Sequence, residues 1–252
     1  MQGLQGKTVL VTGGANGIGL AISRRFATAG CSVVVMDMDA TAATAAADQL
    51  RTLNVVADAA VADVSDYQQV CRAISAVDRG IDILVNNAGW DRFMPFIKTS
   101  PELWHKVMGV NLFGALNTIH AVLPQMLARG RGRIVNVASD SGRVGASGEV
   151  SYSASKGGVI AMTKAIAREV ATSGVTANVV CPGPTDTAML SAVVDSSDKP
   201  EKLSAALLRA IPMRRLGRPD DISGLVAFLA SDEASFITGQ VVSASGGLTM
   251  NG

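Results

Sequence analysis

Short apolar runs alternate along the chain with longer stretches whose apolar residues recur at helical spacing. Lys7 to Thr12 (KTVLVT), Ser32 to Met36 (SVVVM), Val55 to Val61, Ile81 to Val85 (IDILV), Gly132 to Ala138 (GRIVNVA), Val175 to Val180 and Gly239 to Ser245 read as strands. Continuous runs of this kind suit strands covered on both faces. The residues after Gly19, Thr41 to Leu53, Asp66 to Val77, Pro101 to Arg129, Ser153 to Val170 and Asp220 to Leu229 read as helices. Strands alternating with helices at this spacing predict an α/β fold, a parallel sheet covered on both faces. Residues 188–211 are the most polar and least regular stretch; an insertion after a strand, turning at Asp195 to Pro200, reads as a substrate lid.

Composition narrows the class. The 252 residues contain no linker, low-complexity segment or repeat, so one domain over 1–252 is expected. Hydrophobic residues make up 48% and charged residues 17%, enough apolar material for a large core. No apolar run approaches the roughly 18 residues of a membrane span, and MQGLQGKTVLVTGG lacks a signal-peptide pattern. A net charge of +1 argues for neither a nucleic-acid nor an anionic-membrane partner. Cys31, Cys71 and Cys181 are odd in number and lie among apolar neighbours, as reduced core thiols of a cytoplasmic protein would. His105 and His120 have no ligand-spaced partner, so no metal is expected.

Candidate chemistry collects after the strands. Gly13-Gly14-Ala15-Asn16-Gly17-Ile18-Gly19 follows the first strand and opens a helix. Glycines permit a tight turn and close backbone approach, and a helix N-terminus offers free N–H groups to a pyrophosphate. Asp37 ends the second strand, where a carboxylate can accept hydrogen bonds from a ribose diol and repel a 2′-phosphate. With no Arg or Lys at Ala15 or Met38, this favours NAD over NADP. Asp63-Val64, Asn86 to Gly89 and Ser139 also follow strands, so these features fall along one sheet edge, where open α/β sheets bind ligands. Trp90 and Phe93 follow at that edge, to line a pocket or to pack as a flap. Asn111 sits in an apolar patch, where its amide must find partners. Arg214, Arg215 and Arg218 read either as contacts for an anionic substrate tail or as a solvated turn.

The stretch from Asn136 to Lys156 carries Ser139, Tyr152 and Lys156. Tyrosine and lysine four residues apart share a helix face. An ordinary phenol titrates near pH ~10, and a nearby ammonium lowers that value, so Tyr152 beside Lys156 can move protons on and off a substrate oxygen held by Ser139.

Together these motifs resemble the short-chain dehydrogenase/reductase family over essentially the whole chain. Thr12 to Gly19 is similar to its TGxxxGxG turn, Asn86-Asn87-Ala88-Gly89 to its NNAG, and Ser139, Tyr152 and Lys156 to its serine and YxxxK motif. The resemblance implies a Rossmann-type doubly wound, seven-stranded parallel sheet, and Asn111 as the fourth catalytic residue. It implies NAD held by Gly13, Asn16, Gly17, Ile18, Gly19, Asp37, Asp63, Val64, Asn87, Ala88, Gly89, Tyr152, Lys156, Pro182, Gly183, Thr185 and Thr187. It also implies a homotetramer, Lys156 on the nicotinamide ribose, and an Asn111-held water linking Lys156 to solvent. Within the family, NNAGWD, RVGASGE, VCPGPTDTA, PEKL with AIP and RLGRPDD after it, and FITGQVVSASGGLTMNG resemble members that oxidise a ring hydroxyl β to a CoA thioester using NAD. Parts of that pattern are shared with 3-oxoacyl-carrier-protein reductases and small cyclic-alcohol dehydrogenases. A non-catalytic scaffold on the same fold would be expected to have lost a catalytic position, yet all four match.

Overall fold

The computed structural model describes residues 1–195, 197 and 199–250. Ser196 and Asp198, in the turn predicted for the lid, lie outside the described residues, as do Asn251 and Gly252. The element order is β1 (Thr8–Thr12), α1 (Gly17–Thr28), β2 (Ser32–Asp37), α2 (Ala40–Arg51), β3 (Ala57–Val61), α3 (Tyr67–Ser75) and β4 (Ile83–Asn86). Then follow α4 (Pro101–Met108), a π turn (Gly109–Phe113), α5 (Gly114–Ala128), β5 (Gly132–Val137), α6 (Ser141–Val144), α7 (Val150–Val170) and β6 (Val175–Pro182). The chain closes with α8 (Ala188–Asp195), α9 (Pro200–Ala210), α10 (Pro219–Ala230) and β7 (Val241–Ala244).

The seven strands form one sheet in the order β3-β2-β1-β4-β5-β6-β7, every pair parallel. This is the expected Rossmann-type doubly wound sheet. Alternate residues of each strand feed opposite cores, as a period of two requires. Val9, Val11, Val33 and Val35 pack with Phe26 of α1 and Val226 of α10. Leu10, Val34, Met36 and Ile134 pack on the other face with Ile119 and Val122 of α5. Phe26 is fully buried, worth about 2–3 kcal/mol. The strand order reverses direction between β1 and β4, where a crevice opens at the carboxyl ends.

Two helices differ from expectation. The stretch read as one regular helix, Pro101 to Arg129, is continuous from Pro101 to Ala128 but switches to a π turn at Gly109–Phe113. Such turns are rare and concentrate at functional sites; this one carries Asn111. By length and mean hydropathy that helix passes the test for a membrane span, although no single apolar run showed it. Here it packs against α3, α7, β4 and β5. Helix α7 starts at Val150 rather than Ser153, which places Tyr152 inside its first turn.

A buried chain of polar side chains ties the layers together under the crevice. Thr118 on α5 donates to Asn86 Oδ1 (2.6 Å), Asn86 Nδ2 to Asn136 Oδ1 (2.9 Å), and Asn136 Nδ2 to Thr163 Oγ1 on α7 (2.7 Å). The parallel register sets Asn86 beside Asn136, so the two amides meet across neighbouring strands.

Candidate active site

The glycine turn is held by the end of β4. Thr12 Oγ1 accepts the backbone N–H groups of Asn87 and Ala88 (both 3.0 Å), and Asn87 Nδ2 donates back to the carbonyls of Thr12 and Gly13 (both 3.1 Å). Gly13 adopts φ +58, the left-handed region that glycine enters at no steric cost. Gly19 answers a different demand. A Cβ built there lies 1.9 Å from the Gly13 carbonyl oxygen and 2.6 Å from Asn87 Nδ2, so only glycine lets α1 pass beneath the turn. Asp37 Oδ2 accepts from Ala15 N–H (3.3 Å) and Oδ1 from Asp39 N–H (3.2 Å), which aims the carboxylate across the turn.

One cleft of about 1170 Å³ runs along this edge. Of the residues expected at the cofactor, Gly13, Asn16, Gly17, Ile18, Asp37, Asp63, Val64, Asn87, Ala88, Gly89, Pro182, Gly183, Thr185 and Thr187 line it, together with Ser139, Tyr152 and Lys156. Gly19 and Asn111 do not line it. Gly19 shapes the turn from below, and Asn111 is buried beside the cleft. Asn111 Nδ2 donates to Trp90 O (2.7 Å) and Val107 O (2.8 Å), and its Oδ1 accepts from Trp90 N–H (3.2 Å). The amide therefore pins the loop after β4 to the π turn. A Cβ on Gly89 would lie 3.0 Å from Asn111 Oδ1, a tight contact, and 3.5 Å from Lys156 Nζ, an ordinary one, so both groups lie close against this glycine.

The arrangement fits a dinucleotide with a free ribose diol. Asp37 supplies an acceptor at the end of β2, Met38, Ala62 and Val64 line the adjoining wall, and among the described lining residues the only Arg or Lys side chains are Lys106 and Lys156. Neither lies beside Asp37 in sequence or offers a 2′-phosphate partner at that turn.

Ser139 extends from the end of β5 and Tyr152 from the first turn of α7. The Ser139 hydroxyl accepts from Ser141 N–H (3.1 Å), and its hydrogen bond to Tyr152 favours the phenolate. Lys156 Nζ donates to Val137 O (3.0 Å) and stands 5.6 Å from the Tyr152 ring centre. The Tyr152 phenol is not lowered by Lys156 as the helix spacing suggested. Burial, and then the negative charges of Glu149 and Asp91, push the Tyr152 phenol above its ordinary value. Burial brings the Lys156 ammonium down to about 8, against the pull of Cys181 and Asp91. The lysine thus remains mostly charged at neutral pH while the phenol keeps its proton.

Trp90 and Phe93 line the cleft, as do Met189, Leu190, Val193, Leu203 and Leu207 of the lid helices. Lys106 Nζ rests 3.9 Å from the Trp90 ring centre. His105, read as a surface or packing residue, is exposed at the cleft rim, while His120 Nδ1 meets the Tyr67 hydroxyl (2.7 Å) away from it. The arginines proposed for an anionic tail stand elsewhere. Arg215 pairs with Asp221 (2.5 Å) and Arg214 Nη1 donates to Arg209 O (2.6 Å); Arg143, of the RVGASGE segment, donates from Nη1 to Ser243 Oγ (2.9 Å). None of these, nor Arg218, lines the cleft. The lid read over 188–211 does reach the cleft, whereas Asp91 is a lining position given no role from the sequence; an acidic residue directly after the loop tryptophan was the one available signal.

A family model described as enoyl-(acyl carrier protein) reductase matches residues 13–249. An acetoacetyl-CoA reductase of Rhizobium meliloti is 42% identical over 249 residues, 96% of this chain and 98% of that protein. A 3-oxoacyl-[acyl-carrier-protein] reductase of Thermotoga maritima is 38% identical over 250 residues, covering 98% and 99%. A crystal structure of a 3-oxoacyl-[acyl-carrier protein] reductase with bound NAD from Brucella melitensis superposes with a TM-score of 0.90 at 32% identity, over 98% of this chain and 92% of that one. With its sheet order, its laced glycine turn and its Ser–Tyr–Lys cluster, the chain belongs to the short-chain dehydrogenase/reductase family of nicotinamide-dependent oxidoreductases.

Proposed function

We propose that the protein is an NAD-dependent enzyme interconverting a secondary alcohol and its ketone, with a cyclic 2-hydroxyacyl thioester, 2-hydroxycyclohexanecarbonyl-CoA, as the substrate read best. The observation that carries the reaction is the meeting of Ser139, Tyr152 and Lys156 in the one cleft that Asp37 also lines. For the ring there is the largely apolar wall of Trp90, Phe93, Leu203 and Leu207. NAD, when bound, supplies the hydride acceptor. Ser139 and Tyr152 hold the alcohol oxygen, Tyr152 as phenolate takes the hydroxyl proton, and Lys156 stabilises that anion. In the reverse direction the Tyr152 phenol donates its proton to the ketone oxygen, the role for which burial prepares it. Asn111 serves this reading by holding Trp90 and the π turn beside Lys156; the water it would carry towards solvent belongs to the proposal.

A second reading has its own support. The relatives named as acetoacetyl-CoA and 3-oxoacyl-carrier-protein reductases favour reduction of a linear 3-oxoacyl thioester. A cytoplasmic homotetramer goes with either reading, and Phe113 and Leu116, exposed on the long helix, are apolar residues for subunit packing there.

Absorbance at 340 nm discriminates. Oxidation of 2-hydroxycyclohexanecarbonyl-CoA with NAD, faster in kcat/KM than oxidation of simple cyclic alcohols or reduction of acetoacetyl-CoA, is the expected result. Preference for acetoacetyl-CoA with NADPH selects the second reading. Asp37→Ala, compared with both cofactors, is expected to lose about tenfold or more of the NAD preference.

A further inference from the structure

Two carboxylates stand in the cleft without a part in the proton transfer. Asp91 lies on the loop after β4 and Glu149 directly before α7, and both line the cleft with Tyr152 and Lys156. Their loops are fastened together. Met94 N–H donates to Gly148 O (3.0 Å), and Gly148, at φ +82, leaves room for Phe93, whose ring a Cβ there would approach to 2.5 Å. Glu149 Oε2 accepts from the Ser141 hydroxyl (2.9 Å). Asp91 has no such partner: both carboxylate oxygens are shut off from solvent, and neither accepts a hydrogen bond of good geometry. The Arg92 backbone amide lies near enough to favour its charged form, but burial and Glu149 outweigh that and hold Asp91 up at about 6. Both acids are close enough to Tyr152 to raise its phenol, and Asp91 is close enough to Lys156 to favour its charge. Both acids therefore stand at the Tyr152 and Lys156 end of the cleft, with the Asp91 carboxylate set into its wall.

We propose that Asp91 and Glu149 form a charge filter, admitting substrates that are neutral beside the reacting carbon and rejecting those with a carboxylate there. Like charges brought together in a poorly hydrated pocket repel strongly, and such a repulsive element is a common source of specificity. The filter rests on the oxidoreductase reading and deepens it. A 2-hydroxy ring acid carries its negative charge one carbon from the hydroxyl-bearing carbon, and a thioester removes that charge. The acyl carrier then serves recognition at the reacting end as well as at its own.

The test needs no thioester. Binding of methyl 2-hydroxycyclohexanecarboxylate and of the free 2-hydroxycyclohexanecarboxylate anion to the NADH-loaded enzyme, in which the alcohol has no hydride acceptor, is measured by calorimetry at pH 8. The ester is expected to bind roughly tenfold tighter or more, and Asp91→Asn and Glu149→Gln are each expected to narrow the gap severalfold by strengthening the acid. Both substitutions keep the side-chain shape, and either variant alone suffices if the other fails to fold. Equal affinities in the wild type, a gap unchanged by the substitutions, or an ester that does not bind would each overturn the filter. An intact gap in an enzyme that does not turn over 2-hydroxycyclohexanecarbonyl-CoA would remove the substrate assignment and leave the filter standing.

Discussion

Helix α1 and the lid helices α8 and α9 flank one cleft, yet α1 buries Gly19, Ala21, Ile22, Ser23, Phe26 and Ala27, whereas neither lid helix buries a side chain. The cofactor side takes its shape from close packing: Thr12, Asn87 and Gly19 leave the turn one conformation. The lid instead turns Leu203 and Leu207 toward the cleft, and its own hydrogen bonds are mostly local. The cofactor side is thus preorganised, and the substrate side relies on what it encloses.

The strongest way to break this contrast is to crowd the packed side. Gly19→Ala drives a methyl group into the Gly13 carbonyl, so the turn must open. We expect cofactor affinity to fall about tenfold or more and Tm to drop by roughly 5 °C or more, read by cofactor titration and thermal unfolding. Next comes the polar chain beneath the cleft. Asn136→Ala strands the Asn86 amide and removes the acceptor-donor link to Thr163, at an expected cost of about 2–3 kcal/mol in denaturant unfolding. On the lid the balance reverses. Leu207→Ala should leave Tm within about 2 °C while raising KM a fewfold, because the residue lines the cleft without joining the core. A large loss of Tm there would show that the lid is part of the packed scaffold.

The same contrast governs what could be read from the chain. Strands β1, β2 and β5 lie within a residue or so of expectation, since fully buried β-branched runs leave little choice. Strand β3 starts at Ala57 rather than Val55, and both Val56 and Val61 remain exposed, since an apolar letter does not by itself report burial. Asn111 was legible as a polar residue in an apolar patch, but the π turn around it was not. At that turn the Asn111 amide bonds Val107 O within the helix and Trp90 O from the loop after β4, and the second of these is a tertiary contact. The depressed phenol expected from Tyr-x-x-x-Lys failed for a related reason. Spacing along a helix places Lys156 near Tyr152, but it says nothing of burial or of the two acids brought in by distant loops. Arg214 and Arg215 looked available as charges in the sequence, and each found a neighbour outside the cleft.

Tyr152 moves the proton at a site whose cofactor half stands on its own. Tyr152→Phe tests it with two readings on one sample: binding of NADH by fluorescence, and turnover at 340 nm. We expect NADH affinity within about threefold of wild type and a loss of kcat of roughly a hundredfold or more. Turnover near wild type in that variant would contradict it.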